Sequence, residues 1–157
     1  MLVLGIDPGA TTGWCLYDTE AKRVVDSDTF KETDAPSGLV IRSRDFCVIE
    51  RPVAHGPTRP QVVDCAWHAG QLAIIMQAIP ITRREIKLIL TEATQRDVVV
   101  KDDSSAWAAL VLLHGEGSGE RPTKKRLGGC IGRVTSHERA ALAVCVAWAI
   151  QQGYWKP

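Results

Sequence analysis

The sequence predicts a mixed α/β fold in which three antiparallel strands are followed by parallel strands, with helices on the faces of the sheet. Short apolar segments alternate with turns over the first 30 residues, and a continuous apolar run follows at 46–50. Helical periodicity then dominates the second half of the chain. The 157 residues, 45% of them hydrophobic, suit one domain, which we assign to residues 1–157.

The first three strands form a meander. Residues 2–7 are an apolar strand that ends in an acid and a Pro-Gly turn, and 12–18 resume extended character, so the two form a hairpin. Residues 23–30 follow a polar turn as the third strand. A short helix with poor propensity is expected at 36–44.

Residues 46–50 read as a strand buried on both faces and closed by Glu50. A proline-rich loop occupies 51–60, and a helix follows over 61–78, ended by Pro80. This helix is apolar around more than one face, which suggests that part of it meets a partner chain. A further buried strand is predicted at 86–90.

Helices account for the rest of the chain. Short ones are predicted at 94–100 and 103–113, and a weak one at 123–134, where three glycines oppose helix formation. The strongest prediction is a helix over 136–152, which opens with a capping box from Thr135 to Glu138.

Composition excludes several classes of protein. The longest apolar run, 140–150, is far shorter than the roughly 20 residues that span a bilayer, and the N-terminus lacks a signal-peptide layout. We therefore expect a soluble, intracellular protein with no membrane partner. The five cysteines are widely spaced without a C-x-x-C pair, which favours reduced core residues over disulfides or a zinc site.

Two acids end apolar strands, Asp7 and Glu50. If these strands are neighbours, both carboxylates converge at the edge where open α/β sheets bind ligands. Two such acids and a third ligand from a helix would suit Mg²⁺ and leave positions open for a phosphate and water. The alternative is that both are ordinary turn residues.

Several motifs in order carry a family resemblance. The opening Gly5-Ile6-Asp7-Pro8-Gly9, followed by Thr12-Gly13-Trp14, resembles the first hairpin of the RuvC family of Holliday-junction resolvases, which have the ribonuclease H-like fold. Val48-Ile49-Glu50 is similar to the second acidic motif of that family, and the helix that starts at His137 is similar to its closing helix.

The resemblance implies a homodimeric endonuclease that resolves four-way (Holliday) DNA junctions by paired nicks, using two divalent ions per active site. It also implies a cytoplasmic location, in a bacterial cell or a phage-infected host. The segment 31–45 is short for a bacterial member, which suggests a phage-type relative.

Site residues carry over by position. Asp7 matches the aspartate that bridges both metals, Glu50 matches the fourth-strand glutamate, and His137 matches a position that is aspartate or histidine in the family. The metal ligands would thus be Asp7, Glu50 and His137, holding Mg²⁺ or Mn²⁺, with the histidine favouring Mn²⁺.

The last catalytic position departs from the family pattern. Three residues beyond His137 the family has an aspartate, and here the residue is Ala140, which has no ligand atom. Either the chain is an engineered inactive variant, or it is a natural member that lost activity or recruited Glu138. Glu138 lies about 100° around the helix from His137, which makes its recruitment awkward.

The net charge of +1 conceals a strong segregation of charge. Residues 1–50 carry 5 basic and 9 acidic side chains, whereas 121–157 carry 7 basic and 1 acidic. A basic cluster that flanks His137 could neutralise DNA phosphates, although a solvated helix face is the alternative. The predicted DNA-binding residues are Arg51, Arg59, Lys124, Lys125, Arg126, Arg133 and Arg139.

Two other functions compete with the nuclease. One is a naturally inactive junction-binding protein. The other is an actin-like ATPase or sugar kinase, whose first hairpin also places an acid, a glycine and threonines as Asp7, Gly9, Thr11 and Thr12 do. Those kinases need two lobes around the nucleotide, and 157 residues hold one. The 51–60 loop also lacks the aromatic wedge that some resolvases use to open a junction.

Overall fold

The computed structural model describes residues 1–31, 43–53, 60–95, 110, 113 and 136–156. Within them lie five strands and three helices. In chain order these are β1 (Leu2–Asp7), β2 (Thr11–Asp18), β3 (Arg23–Lys31), β4 (Phe46–Arg51), α1 (Pro60–Met76), β5 (Ile79–Thr82), α2 (Arg83–Thr94) and α3 (Ser136–Gln151).

The strands form one mixed sheet in the order β3-β2-β1-β4-β5. β1, β2 and β3 pair antiparallel, whereas β4 is parallel to β1 and β5 is parallel to β4. The predicted fold class, three antiparallel strands followed by parallel strands with flanking helices, is therefore confirmed.

Both faces of the sheet are covered. Alternate residues of a strand point to opposite faces, so β1 sends Val3 to one side and Leu4 and Ile6 to the other. The Val3 side packs against α2 and α3, and the Leu4 side packs against Leu72 and Met76 of α1. This explains why the strands read as continuous apolar runs.

Helix α3 is the centre of the core. Every residue from 141 to 149 is buried, and most of them are small or medium-sized apolar side chains. Two glycines bring the helix close to the sheet: a Cβ on Gly5 would collide with the backbone of Ala141, and one on Gly13 with the backbone of His137. The predicted helix at 136–152 is confirmed to within one residue at its end.

The predicted strand at 86–90 is wrong. These residues belong to α2, because Thr82 and Glu85 form a capping box that starts a helix at Arg83. Ile86 and Leu90 are buried four residues apart on one helical face. The parallel strand that precedes this helix is β5, which was missed because it has four residues and contains Pro80.

Other boundaries shift slightly. Helix α1 ends at Met76, because Gln77 adopts a left-handed conformation with φ 51°. Ser43 and Arg44, at the end of the predicted helix 36–44, are not helical. The remainder of that segment, the segment 96–100, the predicted helix 123–134 and the capping residue Thr135 lie outside the described residues.

Four of the five cysteines are free, but only three are core residues as predicted, because Cys65 is half-buried; Cys130 lies outside the described residues. Cys15, Cys47 and Cys145 are buried and unlinked. Burial raises the pKa of the Cys47 thiol to about 11 and that of Cys145 well above its ordinary value. In the described part of the chain, no helix combines the length and apolar character needed to cross a membrane.

Candidate active site

Asp7 and Glu50 lie at the same edge and on the same face of the sheet. β1 and β4 are parallel neighbours, and the two acids directly follow the paired residues Ile6 and Ile49. Both side chains are largely shielded from solvent, at 13% exposed for Asp7 and 11% for Glu50. The predicted convergence of the two carboxylate-bearing strand ends is therefore what the sheet topology produces.

Helix α3 brings His137 to Asp7. The distance from His137 Nδ1 to Asp7 Oδ2 is 3.8 Å, and the histidine side chain is 47% exposed. Gly13, the register partner of Asp7 in β2, lets the backbone of His137 lie directly on the sheet. The first turn of α3 is thus held over the end of β1 by backbone contact.

Ala140 lies on α3 three residues after His137, so the two share one face of the helix. It is partly exposed, in contrast to the buried run that begins at Ala141. The side chain on this face is therefore a methyl group, which has no atom that could bind a metal. An aspartate at this position would add a carboxylate to the same helical face.

The side chain of Glu138 forms a hydrogen bond away from Asp7. It is buried, and its Oε1 accepts a hydrogen bond of 2.9 Å from the hydroxyl of Ser27 in β3. The contact directs this carboxylate toward β3, whereas Asp7 ends β1. This placement agrees with the expectation that Glu138 is poorly placed to replace the absent aspartate.

Glu50 makes a contact that sequence reasoning missed. The Nε of Arg83 donates to Glu50 Oε1 at 2.9 Å, and the arginine side chain is 61% exposed. Arg83 is the first residue of α2, immediately after β5, which pairs with β4. The mistaken strand at 86–90 hid this contact, because it placed Arg83 in a connecting loop.

The turn after Asp7 is anchored from the opposite face by α1. The Cys65 thiol donates to the carbonyl of Pro8 at 3.4 Å, and His68 Nε2 lies 3.1 Å from the hydroxyl of Thr12. Thr12 in turn bonds the backbone of Gly9. A buried network thus fixes the conformation of the Pro8-Gly9 turn next to Asp7.

The donor set suits a hard or borderline divalent cation. Asp7 and Glu50 supply carboxylates from the ends of neighbouring strands, and His137 supplies an imidazole from α3. Mg²⁺ and Mn²⁺ accept such ligands. Within the described residues, however, no three donors stand close enough together to hold an ion. One of the two carboxylates, Glu50, is already engaged by the Arg83 guanidinium, whose side chain is 61% exposed.

The predicted DNA-binding residues are only partly described. Arg51 is exposed at the end of β4, beside Glu50, and Arg139 is partly exposed in the first turns of α3. Arg51 directly follows Glu50 and Arg139 lies two residues after His137, and their role in DNA binding stays a prediction. The other five, Arg59, Lys124, Lys125, Arg126 and Arg133, lie outside the described residues.

No protein-family model matches the chain, and no curated protein is similar to it. Among solved structures, it is similar to RuvC from Thermus thermophilus, with 17% identity and a TM-score of 0.58 over 100% of this chain and 99% of that chain. It is also similar to T. thermophilus RuvC in complex with a Holliday junction substrate, with 16% identity, a TM-score of 0.54 and the same coverage. The resemblance predicted from the motifs is thus matched in three dimensions, and the chain has the fold of the RuvC Holliday-junction resolvases.

Proposed function

We propose that the chain is a single-domain, metal-dependent endonuclease that resolves four-way DNA junctions by paired nicks, and that the form with Ala140 is inactive. The observation that supports this most strongly is the placement of His137 3.8 Å from Asp7 over the edge that also carries Glu50. The fold shared with a RuvC–junction complex supports branched DNA as the substrate. We place its action in the cytoplasm of a bacterial or phage-infected cell.

Asp7, Glu50 and His137 would hold two ions of Mg²⁺ or Mn²⁺. When bound, such ions supply charge that activates the attacking water and stabilises the leaving oxygen of the cleaved phosphodiester. The residues of the chain contribute the binding and the orientation. The shielded carboxylates are anchored to rigid strands, and the turn beside Asp7 is locked by Thr12 and His68.

The basic side chains would bind the phosphate backbone on both sides of this edge. Arg51 directly follows Glu50, Arg139 lies in the same helix as His137, and the chain carries six more basic than acidic residues after residue 120. Such contacts position DNA without reading its sequence, and they weaken with rising salt. Binding of a junction is therefore expected to survive the loss of a single metal ligand.

A homodimer is part of the proposal, because paired nicks need two sites. On α1, Val63, Trp67 and Ile74 are 54%, 71% and 80% exposed, and their spacing of four and seven residues places them along one stripe. Gly70 lies within this stripe and would meet no atom if it carried a Cβ. We propose that this apolar stripe of α1 pairs with the same stripe of a second copy.

The test is the substitution Ala140→Asp. Restoring a carboxylate beside His137 is expected to produce nicking of a synthetic four-way junction with Mg²⁺ or Mn²⁺, at least about 100-fold above the unaltered chain, since a missing metal ligand costs several kcal/mol of transition-state stabilisation. Product mapping on a denaturing gel would check for symmetrical nicks. The double variant Ala140→Asp/Asp7→Asn should bind the junction as well as its parent and cut nothing.

A second function is favoured by Ala140 itself, namely a junction-binding protein that never cleaves. Under that alternative, the folded Ala140→Asp variant binds the junction and leaves it intact with either metal. Such an outcome would replace the nuclease by the binding protein. Absence of a preference for four-way over linear duplex DNA at equal salt would contradict both functions.

A further inference from the structure

The contact between Arg83 and Glu50 joins a fixed carboxylate to a movable cation. Glu50 is held on a central strand with 11% of its side chain exposed, whereas 61% of the Arg83 side chain is exposed. The Nε–Oε1 distance of 2.9 Å is that of a charge-assisted hydrogen bond. The arginine can therefore leave this contact without disturbing the sheet, while the glutamate cannot.

The backbone of Arg83 is nevertheless well placed. Thr82 pairs with Arg51 across β4 and β5, and the capping box between Thr82 and Glu85 fixes the first turn of α2. Arg83 follows Thr82 directly, so its side chain starts from a defined point beside the end of β4. The guanidinium stays charged at every physiological pH, so a permanent positive charge lies next to this carboxylate.

A guanidinium and a divalent cation compete for the same carboxylate oxygen. While Arg83 donates to Glu50 Oε1, a lone pair of that oxygen is not available to bind a metal ion. The positive charge of the arginine also repels a cation that approaches the carboxylate. Because the Arg83 side chain is already largely exposed, moving it from Glu50 into solvent costs little free energy. The arginine is therefore a weak competitor. We expect it to reduce cation affinity by about three- to tenfold.

We propose that Arg83 competes with the divalent cation for Glu50, and that cation binding releases the arginine to contact a DNA phosphate at the same edge. The inference rests on the proposed function, since it assigns a further positioning residue to the proposed metal site. In the metal-free chain the arginine holds the carboxylate in place. In the loaded chain it adds a phosphate contact beside Arg51, so cation and DNA binding support each other.

The first measurement is calorimetric titration of Mn²⁺ into the full chain without DNA, for the unaltered protein, Arg83→Gln and Arg84→Gln. Arg84 is the matched control, because it is the next residue, is exposed and carries the same charge. Arg83→Gln is expected to bind Mn²⁺ about three- to tenfold more tightly, whereas Arg84→Gln changes the affinity less than twofold. Arg83→Lys, which keeps the charge, should fall between them.

The second measurement is junction affinity with EDTA and with Mg²⁺ at constant ionic strength. The unaltered chain should gain more affinity from Mg²⁺ than Arg83→Gln does, because only the former gains a released guanidinium. In a Glu50→Gln background, Arg83→Gln should raise Mn²⁺ affinity by less than it does with Glu50 present, since the contested carboxylate is gone and only the repulsion of the arginine charge is removed.

Different results separate the two proposals. If Mn²⁺ binds and Asp7→Asn abolishes the binding, but Arg83→Gln behaves like Arg84→Gln or binds more weakly, the competition is refuted and the metal site stands. If neither the unaltered chain nor Arg83→Gln takes up Mn²⁺ at millimolar concentration, the metal dependence of the proposed function and the competition are both refuted.

Discussion

Single glycines determine how closely α3 approaches the candidate site. Gly5 and Gly13 lie on neighbouring strands, and each faces the backbone of α3 at a distance that no side chain tolerates. Their absent side chains allow Ala141 and His137 to rest on the sheet. The 3.8 Å distance between His137 and Asp7 depends on this approach.

Gly5→Ala is expected to destabilise the protein by at least about 1–3 kcal/mol, because its methyl group would overlap the backbone oxygen of Ala141 and the Sγ of Cys145. Chemical denaturation monitored by tryptophan fluorescence measures the loss. Gly70→Ala is the control, since a Cβ on this helical residue would meet no atom of its own chain. Because Gly70 lies in the proposed dimer stripe, the comparison is made in the Trp67→Glu background, where Gly70→Ala should gain about 0.5–1 kcal/mol. Equal effects of the two substitutions would contradict the close approach of α3.

At the scale of elements, β5 and α2 form a strand-to-helix connection with no intervening loop. Thr82 ends the strand and caps the helix: its hydroxyl accepts from the Glu85 N–H, and its own N–H donates to the Glu85 carboxylate. The Thr82 side-chain and backbone hydrogen bonds lower the pKa of the Glu85 carboxyl. The capping box therefore fixes the position of Arg83 next to the end of β4, where Glu50 lies.

Thr82→Ala should cost about 1 kcal/mol of stability at pH 7, the usual cost of losing an N-cap. Because the pKa of Glu85 is lowered in the folded state, its stabilising contribution is complete above the unfolded pKa of about 4.5 and is lost as the pH falls through the folded value. The difference from the unaltered protein should therefore shrink as the pH falls below about 4.5. Urea denaturation at several pH values checks this.

Glu85→Gln provides the control for this experiment. It keeps an oxygen that can accept from Thr82 but has no charge to lose, so the cost of Thr82→Ala measured in a Glu85→Gln background should vary little over the same pH range. A difference between the unaltered chain and Thr82→Ala that stays constant down to pH 3 would rule out the Glu85 carboxylate as the cause.

At the scale of the molecule, α1 has two roles on two faces. Its inner face packs Leu72 and Met76 on the sheet and holds the turn after Asp7 through His68. Its outer face exposes Trp67 and Ile74. The sequence predicts a helix that is apolar on more than one face, and the structure shows this arrangement. A helix that packs on one side only would carry polar residues on its outer face.

Trp67→Glu is expected to convert the proposed dimer to a monomer, because it would place two charges in a desolvated apolar contact. Light scattering coupled to size-exclusion chromatography measures the mass. Leu88→Glu is the control, because Leu88 is an exposed apolar residue of α2, 57% accessible, and lies outside the α1 stripe. A monomeric unaltered chain, or a Trp67→Glu variant that remains dimeric, would remove the stripe as the interface.

The sequence by itself determined the antiparallel strands, the parallel arrangement of β4 and the closing helix, because strong apolar periodicity and capping signals are local. It also singled out Asp7, Glu50 and His137 as candidate site residues, since ordered motifs mark them, and Ala140, since it breaks the pattern. Within the described residues it missed β5 and misread 86–90 as a strand. In 86–90 the isoleucines and leucines fit a strand or a helix equally well, and the capping box decided between them.

Only the tertiary structure revealed which partners those residues have. Arg83 reaches Glu50 across 33 residues of sequence, and Ser27 reaches Glu138 across 111. Contacts of that separation depend on strand order and on the path of each helix over the sheet, which no local pattern encodes. The motifs therefore mark the carboxylate and imidazole groups of the candidate site, and the packing determines which of them a neighbouring side chain already contacts.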